Sequence, residues 1–244
     1  MPTFSRQEFD IAIENVFKKL EKSCEWSENE LDKFFLLASR LLEENEKYNL
    51  TAIRTLEGVI QKHFYDSAAA SAAIPKNASV IDIGSGAGFP TLPLAIIRPD
   101  LKLTPVDSTE KKVNFIRDTA NMLGLTNVNP VFGRAEDLAK TDMRNGFSCA
   151  IARSVASLPI ICELCLPFVK PNGVFIAMKS EIALHEIEES ERARRVLGAS
   201  QEVTLSELYT DDNGDKRMLF VISKASRTPD NYPRNYGQIK KKSL

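Results

Sequence analysis

The stretch Val80-Ile81-Asp82-Ile83-Gly84-Ser85-Gly86-Ala87-Gly88-Phe89-Pro90 decides how this chain is read. Apolar, mostly β-branched residues from Val80 to Ile83 predict a buried strand, and the apolar run Thr91 to Ile97 predicts a helix directly after the turn. Glycines at 84, 86 and 88 let the backbone turn sharply and let a ligand approach closer than a Cβ would permit. A tight strand-to-helix connection with no ligand is the plainer alternative.

Outward from this turn, short β-branched runs alternate with helical stretches. Strands are expected at Lys102 to Val106, Val128 to Phe132, Phe147 to Ala152 and Val174 to Met178, with helices at Glu110 to Leu123, Ser157 to Phe168 and, charged, between Glu181 and Gly198. This is the pattern of a doubly wound, mostly parallel α/β sheet. Two last strands, Glu202 to Leu208 and Arg217 to Ser223, flank a polar turn containing Asn213-Gly214. A nicotinamide-type Rossmann domain continues with parallel strands, so a terminal hairpin favours a Rossmann-like class I methyltransferase with seven strands and an antiparallel last one. On the N-terminal side, Ser5-Arg6-Gln7-Glu8 and Ser27-Glu28-Asn29-Glu30 have capping-box spacing, and a third helix follows Thr55 to about Ala73. The expected organisation is a helical extension over 1-74, a cofactor-binding core over 75-225 and a basic tail over 226-244.

Thr104-Pro105-Val106-Asp107 ends the second strand with a carboxylate, about 20 residues past the glycines, where it can accept hydrogen bonds from both ribose hydroxyls. No Gly-Lys-Ser/Thr ending follows the turn and no basic residue lies among the glycines to meet a pyrophosphate. An adenosine ligand carrying a sulfonium therefore fits better than NAD or ATP. Gly133-Arg134-Ala135-Glu136-Asp137 follows the third strand at the carboxyl edge, where adenine is expected; Glu136 and Asp137 also suit the N-terminus of a short helix.

The 244 residues are 43% hydrophobic and 27% charged, which fits one globular α/β domain with an extension. Cys162 and Cys165 lie in an apolar run without a second ligand pair, so core packing is expected and no metal site. No stretch reads as a secretory leader or approaches the roughly 20 apolar residues that span a bilayer, so a cytosolic location is expected, with no membrane partner. With a formal net charge of -1, any nucleic acid must be met by local basic patches.

Taken together, Tyr48-Asn49-Leu50-Thr51, His63-Phe64-Tyr65-Asp66-Ser67, the loop Asp82 to Pro90, Val106-Asp107-Ser108, Arg134-Ala135-Glu136, Ala152-Arg153-Ser154, Ala156-Ser157-Leu158 and Tyr232-Pro233-Arg234 resemble the small-subunit (16S) ribosomal RNA guanine-N7 methyltransferases, the glucose-inhibited division protein B family. The resemblance covers nearly the whole chain. It implies S-adenosyl-L-methionine held by Gly84, Phe89, Ala135, Glu136 and Arg153, to which the residue reading adds Gly86 and Asp107, and methyl transfer to guanine N7 near the decoding centre. It departs from the family's usual loop at Ala87 and Thr91, and from a usual Lys-Gly pair at Met178-Lys179-Ser180.

Guanine N7 has a lone pair and no proton, so its methylation needs no general base. After the fourth strand the chain has no Asn-Pro-Pro-Tyr-like tetrad and no Pro-Cys nucleophile, but Ala152-Arg153-Ser154. A bidentate arginine grip on guanine would block N7, so a positioning Arg153 is left O6 alone, a phosphate or the methionine carboxylate. His63 reads equally as an interface histidine or a functional one, and Lys179 as an RNA contact or a solvated lysine. The segment from Lys224 to Leu244 holds six basic residues, among them Arg234, Lys240, Lys241 and Lys242, against the single acid Asp230, with Tyr232 and Tyr236 interleaved. Contact with small-subunit RNA by a monomeric enzyme is the expectation for it, a solubilising tail the alternative. Two other functions compete: a small-molecule methyltransferase, and a non-catalytic RNA-binding protein of the same fold.

Overall fold

The computed structural model describes residues 4–211 and 214–244. Both capping boxes form: Ser5 with Glu8 opens α1, Arg6–Lys19, and Ser27 with Glu30 opens α2, Glu28–Tyr48. A third helical segment spans 56–73 and changes pitch on the way, with a π-helical stretch at Ile60–Tyr65 between α-helical turns and a 3-10 end.

Seven strands follow: β1 (Ser79–Ile83), β2 (Lys102–Asp107), β3 (Val131–Phe132), β4 (Phe147–Arg153), β5 (Val169–Ser180), β6 (Thr204–Thr210) and β7 (Lys216–Ser223). They form one sheet in the order β3-β2-β1-β4-β5-β7-β6. β1 to β5 pair in parallel, and β7 enters antiparallel between β5 and β6. The strand order reverses between β1 and β4, which puts a crevice at the carboxyl ends of those two strands.

Successive residues of a strand face opposite sides of a sheet, and here each side has its own core. Val80, Leu103, Ile151 and Ile176 pack with Phe9, Phe34, Leu41 and Phe64 of the N-terminal helices. Ile81, Val106, Ala150 and Phe175 pack on the other side with Leu158, Cys162, Cys165 and Ile239. The N-terminal helices thus share a core with the sheet. Among the described residues no helix is long and apolar enough to cross a membrane.

Three elements differ from the sequence reading. β3 is only two residues long because Pro130 has no N–H for the ladder, and Val128 survives as an isolated bridge to Leu103. β5 is longer, carried through Pro171-Asn172-Gly173 by a left-handed Asn172 (φ 66) and a register shift against β4. The charged helix breaks into Glu181–His185, Glu186–Glu189 and Glu191–Val196, because Ser190 bonds Ile187 O through its own hydroxyl and Arg194 turns inward to the same carbonyl. Of the expected terminal turn, Asn213 lies outside the described residues.

The last segment is not free of the body. Arg144 donates to the carbonyls of Thr228, Pro229 and Tyr232, and Ile239 of the final helix, Tyr236–Lys241, is fully buried. Arg234 grips the fully buried Glu163 with Nε to Oε1 at 2.9 Å, Nη2 to Oε2 at 2.6 Å and its backbone N–H to Oε1 at 2.9 Å. Breaking a buried pair on one side strands a charge and costs about 3–5 kcal/mol. Arg234→Ala should therefore lower unfolding free energy in urea by about that amount, and adding Glu163→Gln should recover part of it; an unchanged midpoint for the single variant would show that the segment is only loosely attached.

Candidate active site

The glycine turn is folded by its neighbours. Gly84 and Ser85 both donate backbone N–H groups to Val106 O, at 2.9 and 3.0 Å. Gly84 has φ 72, and a Cβ there would lie 2.8 Å from Val155 Cγ2; at Gly86, φ 59, a Cβ would meet nothing within 4 Å. The first glycine is required by the wall behind it and the second by backbone conformation alone, so the turn presents bare backbone to open space.

Asp107 splints the turn. Its Oδ2 accepts from Gly86 N at 3.0 Å and its Oδ1 from Thr109 N at 2.8 Å. Each carboxylate oxygen keeps a second lone pair. Around it Ile83, Val106, Ala135, Val155 and Leu164 line a cavity with Asp107 and Glu136. Apolar walls and carboxylates with spare acceptor capacity suit a flat heterocycle attached to a diol. Tyr236 of the last helix also lines this cavity, a placement the sequence reading missed because it took the tyrosine for an RNA contact.

Asp82, beneath the turn, is fully buried. Oδ2 accepts from the Thr91 hydroxyl at 2.7 Å, which accounts for a threonine at that position, while Oδ1 has no partner among the described residues. Burial pushes its carboxyl from 3.8 up to about 7, with the Thr91 bond and Arg153 pulling the other way.

A second cavity meets the first at Gly84. It is lined by Leu50, Thr51, His63, Phe89, Lys112 and Arg153, and no carboxylate is among the described residues that line it. It shares Thr51, His63, Arg153 and Ser154 with a third cavity, which extends to Tyr209, Asp211 and Arg217. Arg153, at the end of β4, joins the walls: Nη1 donates to Lys62 O and to Asp66 Oδ2 (3.4 Å), Nη2 to His63 Nδ1 (2.8 Å). The His63 ring stacks on Phe89 at 4.2 Å and 7°, and the Arg153 guanidinium sits over the same ring. Burial, reinforced by the adjacent Arg153, holds the His63 imidazole well below its ordinary pKa.

The structure thus brings Gly84, Gly86, Phe89, Asp107, Ala135, Glu136 and Arg153 to one connected crevice. It does not bring Lys179 or Arg234 there as free cations. Lys179 Nζ bonds Glu186 Oε2 at 2.8 Å and Ala156 O at 2.7 Å, and Arg234 is held by Glu163. Lys240, Lys241 and Lys242 are exposed. Sequence reasoning missed Thr51, Asp66, Tyr209 and Arg217 as neighbours of Arg153. The His63-to-Asp66 spacing, one helical turn, was a signal that both face one side, but nothing local pairs them with β6 and β7.

Fold and crevice together define a class I methyltransferase. Solved structures with the same fold include M. jannaschii TYW2 in complex with AdoMet (TM-score 0.55, 16% identical, covering 71% of this chain and 79% of that one) and a SAM-dependent methyltransferase from Aquifex aeolicus (TM-score 0.52, 16% identical, 74% and 97%). At such identity they show the fold alone. The family described as GidB, rRNA small subunit methyltransferase G, matches residues 29–212. Relatives named ribosomal RNA small subunit methyltransferase G include those of Deinococcus deserti, 46% identical over 85% of this chain and 86% of that protein, and Clostridium perfringens strain 13, 39% identical over 93% and 98%. The chain belongs to this family of rRNA small subunit methyltransferases.

The Asp82 site has a cost that pH exposes. Its folded pKa is raised, so the folded chain holds a proton between about 4 and 7 that the unfolded chain has lost. This contribution is intact below about pH 4 and is lost as pH rises to about 7, where the ionised buried carboxylate opposes folding by on the order of a few kcal/mol. Asp82→Asn cannot ionise, so its stability relative to the native chain should rise between pH 5 and 8 in urea denaturation; a difference independent of pH would show that Asp82 does not titrate in this window.

Proposed function

We propose that this chain transfers a methyl group from S-adenosyl-L-methionine to N7 of a guanine in small-subunit ribosomal RNA near the decoding centre, acting in the cytosol as a monomer. The observation that supports the reading is the junction at Gly84: a cavity with apolar walls and a ribose-ready carboxylate shares that residue with a second cavity, and no carboxylate or unengaged imidazole is among the described residues that line the second. Family membership supplies the substrate class.

When bound, the cofactor supplies an electrophilic methyl on a sulfonium. Asp107 and Glu136 would hold its ribose, Ala135 and Val155 its base, and the Gly84-to-Gly86 backbone its amino-acid end. The fit is seen in the spare lone pairs of Asp107, the open space over Gly86 and the lack of any cation among the turn residues suited to a pyrophosphate.

His63 cannot remove a proton, because Arg153 occupies its one accepting nitrogen. A nucleophile in this cavity must bring its own lone pair, which guanine N7 does and an exocyclic amine does not. The remaining work is positioning in a pocket whose walls are fixed by Arg153 and Phe89, an effect that contributes several kcal/mol in well-oriented sites. The exposed Lys240, Lys241 and Lys242, on the helix that carries Tyr236 into the crevice, and the exposed Arg227 are the basic residues of the last segment available to meet phosphate.

The test is to incubate the chain with labelled cofactor and small subunits that lack the modification, then map the label; a single guanine labelled at N7 is expected, and label on an exocyclic nitrogen or none on RNA would refute the reading. Because no proton leaves N7, the single-turnover rate with saturating cofactor should be nearly flat from pH 6 to 8. A tenfold rise per pH unit would point to a required base.

A further inference from the structure

Thr51 lies in the loop between α2 and the 56–73 segment, and the polarity of its hydroxyl is set by a chain of groups that begins at Arg153. A guanidinium only donates. Arg153 Nη2 is 2.8 Å from His63 Nδ1, so Nδ1 is the bare, accepting nitrogen. The buried imidazole is neutral and carries its single proton on Nε2. That nitrogen is 3.0 Å from Thr51 Oγ1 and therefore donates to it.

The second lone pair of Oγ1 receives the backbone N–H of Ile53 at 3.2 Å. A hydroxyl has two lone pairs and one hydrogen, so both acceptor sites are engaged and only the O–H is left to act. The loop cannot easily turn away. Thr51 N donates to Oδ1 of the buried Asn45 at 2.8 Å, and Asn45 Nδ2 donates back to Ile53 O at 3.4 Å. Thr51 lines both the cavity that meets Gly84 and the one beyond it.

We infer that Thr51 selects the base, donating its hydroxyl hydrogen to the O6 carbonyl of the target guanine. The inference rests on the reading that guanine N7 is the atom methylated. On that edge guanine presents O6 beside N7, whereas adenine presents an N6 amino donor. A hydroxyl that can only donate accepts the first and opposes the second, and it leaves the N7 lone pair free for the methyl. His63 and Arg153 are positioning residues in this scheme: they fix which way the Thr51 proton points.

The test is a two-by-two comparison with the full chain and small subunits assembled with either guanine or 2-aminopurine, which keeps N7 but lacks O6, at the methylated position. Thr51→Val removes the hydroxyl at nearly constant shape. It should lower kcat/KM on guanine by about 10- to 100-fold, the size of one well-placed hydrogen bond, with cofactor Kd unchanged and Tm lowered, because His63 Nε2 and Ile53 N lose their acceptor. On 2-aminopurine, native chain and Thr51→Val should perform alike, and Thr51→Ser should stay close to the native chain on guanine. Equal losses on both bases, or no loss on guanine, would overturn the role of Thr51. A native chain that leaves guanine unlabelled would instead remove the N7 reading on which this role depends.

Discussion

A single buried carboxylate, Asp66, ties together parts of the chain that are distant in sequence. Oδ2 faces Arg153 of β4 and Arg217 of β7, each at 3.4 Å, and Oδ1 faces the Tyr209 hydroxyl of β6 at 3.4 Å. A desolvated charge is tolerated only where several donors converge on it. That requirement locks the third helical segment against the carboxyl ends of β4 and β6 and the amino end of the antiparallel β7. The Tyr209 phenol is pushed up by burial and by this same carboxylate, so it remains a neutral donor at any ordinary pH.

Once Asp66 is fixed, the wall of the crevice proposed to face the substrate follows. Arg153 reaches Lys62 O and His63 from its seat on Asp66, and the π-helical stretch Ile60–Tyr65 carries both of those residues. Such widened turns recur at functional sites. The cofactor end has a separate source of order in Asp107, which splints Gly86 and Thr109. Among the described residues the two cavities share Gly84, so the walls proposed for the nucleoside and for the base have separate sources of order.

Much of this was legible in the sequence because it is local. Capping boxes, the β-branched runs and the glycine turn are each decided by residues within a few positions of one another, and Asp107 was found by its distance from that turn. What escaped was long-range pairing. Arg234 and Lys224 read as free cations of a basic tail, yet Arg234 binds Glu163, and Lys224 is buried with Nζ on Leu197 O and Thr228 Oγ1. Only the fold shows that a carboxylate seventy residues earlier waits for that arginine. Asp66, Tyr209 and Arg217 escaped for the same reason, and Tyr236 was noticed for its chemistry but not for its place.

Asp66 organises the wall proposed for the substrate and leaves the pocket proposed for the cofactor to Asp107. Amide hydrogen exchange of the full chain carrying Asp66→Asn, with cofactor affinity measured by calorimetry on the same sample, tests it most directly. Faster exchange across residues 51–66, unchanged protection from Gly84 to Asp107 and a cofactor Kd within about threefold of the native chain, a margin well under one hydrogen bond, are expected. Unaltered exchange at 51–66, or cofactor affinity lost together with the wall, would contradict it.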